Sequence, residues 1–488
     1  MLDSLWFFQG ALCAPARDRT YHLPRLIREI SVIIDTACLR YAVRGQAGDT
    51  VERDVETILR RIMFYGVTRY SLFSPGSQSW KTSSSGVFKT PEEYMGYLFS
   101  ERRLELREEM FFTRSVPALA AMAEDYDYKH FVLYSSLLPQ RHQEVLLAAA
   151  AHYPFLVPVE WNDVVRGTGI EEVKPLIEQD LASKFDADAG VQPVAWFRLD
   201  DDDVLATNYL TRLASYRALS NVGMAVSFGL GLTAYKADSE LVNLREYYHP
   251  KSAQGMAFVA AFDPIRGRLE INTPGPHHGV DRVMPTILDS REHMFFQVRH
   301  GDQDSTLSTT PYERAVASLA RLDKLPALRA EGISADRWPT LYQDIIRGEP
   351  AAHELSFPGA ELLRLSQETA LVFPLDPEIT QGLLEFEFEF ESAQQLNGAF
   401  AVISYELSAA EGVDVEELGL KLGLRSSPDY GLYRLAWSRE SRGVVRHSLP
   451  LPEGLTIAGI ALRGKKIQPA DVFIRWCEPR VVSLHAAD

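Results

Sequence analysis

An α/β domain with a mostly parallel sheet, followed by an all-β sandwich or jelly roll, is the fold class predicted by three observations. Short apolar runs alternate with helix-like stretches through the middle of the chain. From residue 376 onward the pattern changes to closely spaced strands. Within that region Leu384-Glu-Phe-Glu-Phe-Glu-Phe390 alternates strictly, as a strand with one buried face does.

Residues 1–60 read as a helical extension, because Leu23, Leu26, Ile27 and Ile30 are spaced for one helix face. Residues 61–310 form the α/β domain, with strands at Ile62–Val67, Phe131–Tyr134, Phe155–Val159 and Val194–Leu199 and an Ala-rich helix from Arg141 to His152. Leu205, Tyr209, Leu213 and Tyr216 recur at helical spacing, which places a helix directly behind an acidic cluster. Met224–Leu232, Met256–Phe262 and Met294–Val298 are further strands, with a Pro/Gly/His-rich loop around Pro274 to Gly279. Residues 311–375 connect the two domains, helical from Pro311 to Leu328 and irregular from Ser334 to Ser356.

Residues 376–488 are the β domain, with strands at Phe400–Leu407, Leu432–Trp437, Leu455–Leu462 and Val472–Cys477. Leu384, Phe386, Phe388 and Phe390 share one face and are expected to build the inter-sheet core. Glu385, Glu387 and Glu389 on the other face are expected to meet solvent. Trp437 and Trp476 sit in apolar strand runs and are expected in the core.

Composition excludes several classes. Lys and Arg number 50 against 66 Asp and Glu, a formal charge of −16, which argues against nucleic-acid binding through a basic face. Cys13, Cys38 and Cys477 stand at no metal-ligand or redox spacing, so reduced thiols in a cytoplasmic protein are expected. No run reaches the ~18 apolar residues of a spanning helix. The stretch Leu5 to Ala14 lacks the basic flank of a secretory signal.

The sharpest chemical feature is Trp196-Phe-Arg-Leu-Asp200-Asp201-Asp202-Asp203, a buried strand that delivers consecutive carboxylates at its carboxyl end. Adjacent negative charges must be solvated, used as helix caps, or neutralised by a cation. A cap needs only one of them, and ligands of open α/β sheets bind outside the carboxyl ends of strands. Oxygen ligands suit Mg²⁺ or Mn²⁺, which bridges diphosphate oxygens while keeping waters. Asp200 and Asp202, one residue apart, can present oxygens to the same ion, while Asp203 caps the helix or holds a hydroxyl.

Arg198-Leu-Asp-Asp-Asp-Asp-Val-Leu205 resembles the Arg-Leu-Asp-x-Asp-Asp motif of the rhamnosyltransferase family, nucleotide-sugar glycosyltransferases of the GT-A fold. Thr68-Arg69-Tyr70-Ser71 with Trp80 is similar to that family's opening strand end. Arg102 and Arg103, then Arg114-Ser-Val-Pro117-Ala-Leu119, then Phe131-Val-Leu-Tyr134 with Leu138-Pro139 follow in the family's order. Val298-Arg-His300-Gly301 is similar to its terminal His-Gly motif. Ser135 and Ser136 depart from the pattern, standing where an acidic or polar base-contacting residue is expected. The resemblance covers residues 62 to 305.

The resemblance implies a metal-dependent, inverting hexosyltransferase of polysaccharide biosynthesis that takes rhamnose or another deoxyhexose from a nucleotide-diphosphate sugar to a glycan or other hydroxyl acceptor. Asp200, Asp202 and His300 would be the metal ligands, with His300 alternatively a diphosphate donor or a structural histidine. Thr68, Arg69, Arg102, Arg198, Asp201 and Asp203 would contact the donor, Arg198 by orienting the aspartates. An inverting transfer needs a base for the acceptor hydroxyl. His277-His278-Gly-Val-Asp281-Arg282, read as a polar loop running into a helix, supplies Asp281 as the preferred base and His278 as the second choice. A metal-dependent phosphohydrolase and a non-catalytic carbohydrate-binding protein, with Trp437 or Trp476 as sugar platform, are the alternatives. The β domain is expected to fold independently and to position an acceptor or join subunits.

Overall fold

The computed structural model describes residues 62–75, 88–162, 169–271, 277–301, 303, 310–349, 362–465 and 471–483. The expected helical extension over 1–60, Trp80, Cys13 and Cys38 lie outside the described residues. The first unit contains β1 (Met63–Tyr70), β2 (Asp127–Tyr134), β3 (Leu156–Glu160), β4 (Gln192–Arg198), β5 (Asp203–Leu205) and β6 (Ala225–Phe228). It continues with β7 (Leu230–Ala237), β8 (Glu240–Tyr248), β9 (Ala257–Asp263), β10 (Arg268–Glu270), β11 (Thr286–Asp289) and β12 (Phe295–Arg299).

The main sheet runs β11-β6-β9-β4-β1-β2-β3, with β10 added on β9. β1, β2, β3 and β4 are mutually parallel, whereas β9 runs antiparallel to both β4 and β6. β1 is buried along its whole length because helices cover both faces of the sheet. On one face Ile170, Val173, Ile177 and Leu181 of helix Ile170–Ala182 pack on Tyr65, Val67 and Trp196. On the other, Leu119 and Met122 of helix Val116–Ala123 and Leu210 and Leu213 of helix Tyr209–Ala214 meet Phe64 and Phe197.

A second, smaller sheet of order β5-β12-β7-β8 lies beyond the carboxyl end of β4. The run expected as one strand over Met224–Leu232 is therefore two strands in different sheets, divided at Gly229. A Cβ at Gly229 would stand 2.5 Å from Ser290 Oγ and 3.3 Å from the Pro250 backbone, so a larger residue there would force its neighbours to shift where the chain crosses. The helix expected directly behind the aspartates starts only at Tyr209 and ends at Ala214, because β5 intervenes and pairs with β12. β5, β8, β10 and β11 were not expected from the sequence.

The second unit is a sandwich of β13 (Leu363–Arg364), β14 (Leu371–Ile379), β15 (Gly382–Ser392), β16 (Gly398–Ala409), β17 (Arg425–Ser427), β18 (Gly431–Ser438), β19 (Arg442–Leu451), β20 (Leu455–Gly464) and β21 (Val472–Val482). Its sheets run β13-β21-β15-β19 and β14-β20-β16-β18-β17. The division expected between residues 375 and 376 cuts through β14. The expected core face of β15 is buried, with Phe386 edge-on to Tyr405 and Phe390 4.7 Å from Phe400. Each such ring contributes about 1.5–3 kcal/mol by leaving water.

The opposite face of β15 corrects the expectation. Glu385 and Glu387 are fully buried, not solvated. Glu387 pairs with Arg329 at 2.6 Å and Arg446 at 2.8 Å, and Glu385 with Arg480 at 2.7 Å. Arg480 also reaches Glu240 of β8 at 3.0 Å and the Gly348 carbonyl at 2.7 Å. This face is covered by the first unit, so each glutamate needs an arginine. Beside it, helix Pro311–Leu322, started by the Thr310–Glu313 capping box, wedges Leu319 and Leu322 among Tyr235, Val242, Leu383 and Val482. The connecting region also contains helix Tyr342–Arg347, whose Ile345 joins the core around Trp338. Trp437 is a further correction: 62% exposed, it lies on the outside of its sheet with Lys465 5.9 Å from its ring. The side chain of Trp476 lies outside the described residues. No described helix is long and apolar enough to cross a membrane.

Candidate active site

The parallel pairing of β1 and β4 sets Val67 beside Arg198, so the two strands end together and release Arg69 and Asp200 at the same edge. Leu199 N–H donates to the Val67 carbonyl at 3.0 Å, extending this alignment to the first aspartate. Thr68 holds it from beneath. Its hydroxyl donates to the Leu199 carbonyl at 2.9 Å and is 2.8 Å from His130 Nε2. That hydroxyl donates to a carbonyl, so the imidazole Nε2–H donates to it, and Tyr128 O–H donates to the unprotonated Nδ1. Thr68 is therefore fully buried in a structural chain and is not the donor-contacting residue expected of it.

Arginines surround the aspartates. Arg198 forks onto Asp200 at 2.6 and 2.8 Å, and Arg69 approaches Asp200 at 3.9 Å. Burial and the nearby Arg198 push the Arg69 guanidinium down to about 9. Arg107, on helix Glu101–Glu108, pairs with Asp201 and, at 3.0 Å, with Asp202. Arg103, one turn earlier, donates to Ser71 Oγ at 3.2 Å and the Leu98 carbonyl at 3.0 Å. Ser71 takes a left-handed φ of +43°, which brings its hydroxyl under this guanidinium. Arg102, the expected donor contact, is exposed and lines a cleft of about 920 Å³ between the two units, which His300 and Gly301 also line. Sequence reasoning missed Arg107. The spacing of Arg103 and Arg107, i and i+4 on one helix face, was the available signal.

Asp202 meets His300, which follows β12: Oδ2 and Nε2 are 3.1 Å apart. Burial raises the Asp202 carboxyl, but Arg107 and His300 outweigh it and hold the group well below the usual carboxylate range. Asp203, the first residue of β5, is buried and pushed well above that range by desolvation and by Asp202 and Asp200, with Gln254 as a hydrogen-bond partner. It caps no helix. Together Arg69, Arg103, Arg107, Arg198 and the four aspartates line a cleft of about 220 Å³.

For a divalent cation the donors fit in part. Asp202 Oδ2 and His300 Nε2 have the separation of neighbouring ligands on one ion, about 3 Å for bonds of ~2.1 Å. Asp200 is turned to Arg198, and among the described residues no three His, Cys, Asp or Glu side chains gather as a metal-holding group. The expected triad is thus reduced to the Asp202–His300 pair.

The expected base loop is a 3₁₀ turn, His277–Arg282. Asp281 lies exposed in an ion pair with Lys251 at 2.9 Å, which lowers its carboxyl. His278 is exposed, with its ring 3.7 Å from that of His277. Arg114 pairs with Asp344 at 2.8 Å and plays a structural part. Ser135 is buried, its hydroxyl accepting from Leu137 N–H at 3.2 Å, and Ser136 binds Asn162 at 2.7 Å.

The family described as "Putative rhamnosyl transferase" matches residues 63–311. The chain belongs to this family. In this family member the match begins with β1 and ends at the start of helix Pro311–Leu322, so the sandwich lies outside it. No protein of curated function matches the sequence. Two solved structures of S. aureus TarS 1–349 share 11% identity (TM-score 0.22, in complex with UDP-GlcNAc) and 8% identity (TM-score 0.20) with it. Each covers 54% of this chain, and this chain covers 66% and 64% of them, just under two thirds.

Proposed function

We propose that this family member transfers a deoxyhexose, rhamnose by the family's description, from a nucleoside-diphosphate sugar to a hydroxyl of a glycan, with inversion at the anomeric carbon. The observation that supports this best is the contact of Asp202 with His300. It joins the two family motifs, far apart in the chain, into one site at the carboxyl end of β4, where open α/β sheets bind ligands. Arg69, Arg103, Arg107 and Arg198 line the same cleft and would grip the diphosphate with charge-assisted hydrogen bonds. Asp200 keeps Arg198 and Arg69 aimed and Asp201 keeps Arg107 aimed, through the ion pairs described above. A Mn²⁺ or Mg²⁺ ion belongs to the proposal, held by Asp202 and His300; when bound it neutralises charge on the leaving diphosphate. A cytoplasmic location, where nucleotide sugars are made, goes with this reading.

The test is thermal stabilisation of the full chain by UDP- and dTDP-linked rhamnose, glucose and N-acetylglucosamine, with and without Mn²⁺, since a ligand of the native state raises Tm by mass action. At least one nucleotide sugar is expected to raise Tm, more so with Mn²⁺, and to be slowly hydrolysed. Stabilisation by none of them would overturn the proposal.

A further inference from the structure

We infer that His277 Nε2 is the base that takes the proton of the attacking hydroxyl. This rests on the sugar-transfer reading above and assigns a role that the turn's other residues are poorly placed to fill. His277 Nδ1 lies 2.8 Å from the Lys251 carbonyl oxygen. A carbonyl only accepts, so Nδ1 carries the hydrogen and Nε2 presents a lone pair. The carbonyl is aimed by an uncommon backbone: Lys251 adopts φ +61°, left-handed for a residue with a side chain, and its N–H donates to Ser227 Oγ at 3.0 Å. Conformations of this kind persist where surrounding contacts impose them. The turn that carries His277 and the loop that carries Lys251 are clasped a second time by Lys251 Nζ on Asp281 at 2.9 Å. Asp281 is thereby engaged in holding the turn, whereas the half-buried His277 ring is held against the Lys251 loop, whose Gln254 lines the cleft of the aspartates, and feels the charges of Arg198 and Asp200.

The groups around that ring keep it neutral. Partial burial and the charges of His278 and Arg198 lower its affinity for a proton, against the Lys251 carbonyl and Asp200, which raise it; the net direction is down from the usual 6.5. His249, on the loop after β8, is lowered by burial first and then by His277, His278 and Arg299. A base that is unprotonated at neutral pH and needs no partner to deprotonate it suits the step. The acceptor O–H bond breaks and its proton moves to Nε2. The oxygen forms its bond to the anomeric carbon with that electron pair, and the bond from carbon to the diphosphate oxygen breaks, its electrons leaving with the nucleoside diphosphate. Water in place of the acceptor gives donor hydrolysis by the same transfer.

The experiment follows hydrolysis of whichever of the six nucleotide sugars stabilises the protein, in wild type, His277→Gln, His277→Ala and Asp281→Asn. The His277 variants are expected to lose kcat on the order of 10²–10⁴-fold. Their KM and their nucleotide-sugar Tm shift should stay within about twofold of wild type, which also shows that they fold. Wild-type kcat should fall below pH 6.5 as His277 protonates. That acid limb should vanish in His277→Gln, and added imidazole should restore part of the His277→Ala rate. An unchanged acid limb in His277→Gln, or its loss in Asp281→Asn alone, would overturn the inference while the donor-site reading stands. Failure of the wild type to bind any of the six sugars would overturn both.

Discussion

Asp202 Oδ2 and His300 Nε2 sit 3.1 Å apart, although 98 residues of chain separate them. β12 pairs antiparallel with β5, Gln297 opposite Asp203, so the end of one strand is delivered beside the start of the other. The aspartate is set by the turn between β4 and β5 and the histidine by the second sheet, which makes the pair a joint product of both sheets.

Replacing Asp202 by Asn removes the charge that both Arg107 and His300 face. Sugar release should fall on the order of 10²-fold or more, as when a preorganised electrostatic partner is lost. Circular dichroism should show an unaltered fold, and steady-state assays with a Mn²⁺ titration would check the loss; full activity with metal dependence retained contradicts the assigned role.

His300→Ala is expected to weaken nucleotide-diphosphate binding roughly tenfold or more with Mn²⁺ present. Without the metal the loss should be smaller. Isothermal titration in both conditions separates a ligand from a structural histidine, because the latter weakens binding equally in the two.

Thr68→Val tests the reassignment of that residue from donor contact to strut. The variant leaves the Leu199 carbonyl and His130 Nε2–H without their buried partner, at a cost of about 1–3 kcal/mol. Urea unfolding should show the loss, and nucleotide-sugar affinity should hold within a few-fold.

His130 gives a pH signature. Burial lowers it to about 3 from the 6.5 of a free imidazole, so the unfolded chain binds the proton more readily than the native one. Its contribution to stability is whole above pH 6.5 and drains away as the pH falls toward 3, at about 1.4 kcal/mol per pH unit in the steep part. Denaturation midpoints of wild type between pH 7 and 4 should slope more steeply than those of His130→Gln.

Deleting residues 376–488 should yield an aggregating protein. The cut splits β14, strips Asp323 of Arg434 and Arg329 of Glu387 and Glu389, and bares Leu319 and Leu322. Unpairing one buried charge costs about 3–5 kcal/mol, and several are unpaired at once. A monodisperse truncated protein that unfolds cooperatively would show that the first unit stands alone.

Most strands of the main sheet and the acidic cluster were legible because both are local: periodicity marks a strand, and four aspartates behind Trp196-Phe-Arg-Leu199 are contiguous. Partnerships across the fold were not. Glu385 and Glu387 alternate with phenylalanine as any half-solvated strand would, and nothing nearby says that Arg446 and Arg480 will come to cover them. Thr68 looked like a ligand contact since it precedes Arg69 at a strand end, but its hydroxyl points into the sheet toward His130, a neighbour only in the parallel pairing with β2. His277 and His278 are indistinguishable as a dipeptide. Only the carbonyl of Lys251 fixes the tautomer of one and leaves the other exposed.

Arg480 closes its ion pair with Glu240 across 240 residues. At a synthesis rate of roughly 5–20 residues per second, a ribosome needs about 12–48 s to travel between them. Through that interval the hairpin of β7 and β8 exists without the strand that will cover it, and Leu319 and Leu322 have no Leu383 or Val482 to rest against. The nascent chain must therefore wait, incompletely buried, until β21 has emerged, which makes early translational arrest and chaperone contact more consequential for this protein than for one whose domains mature in turn.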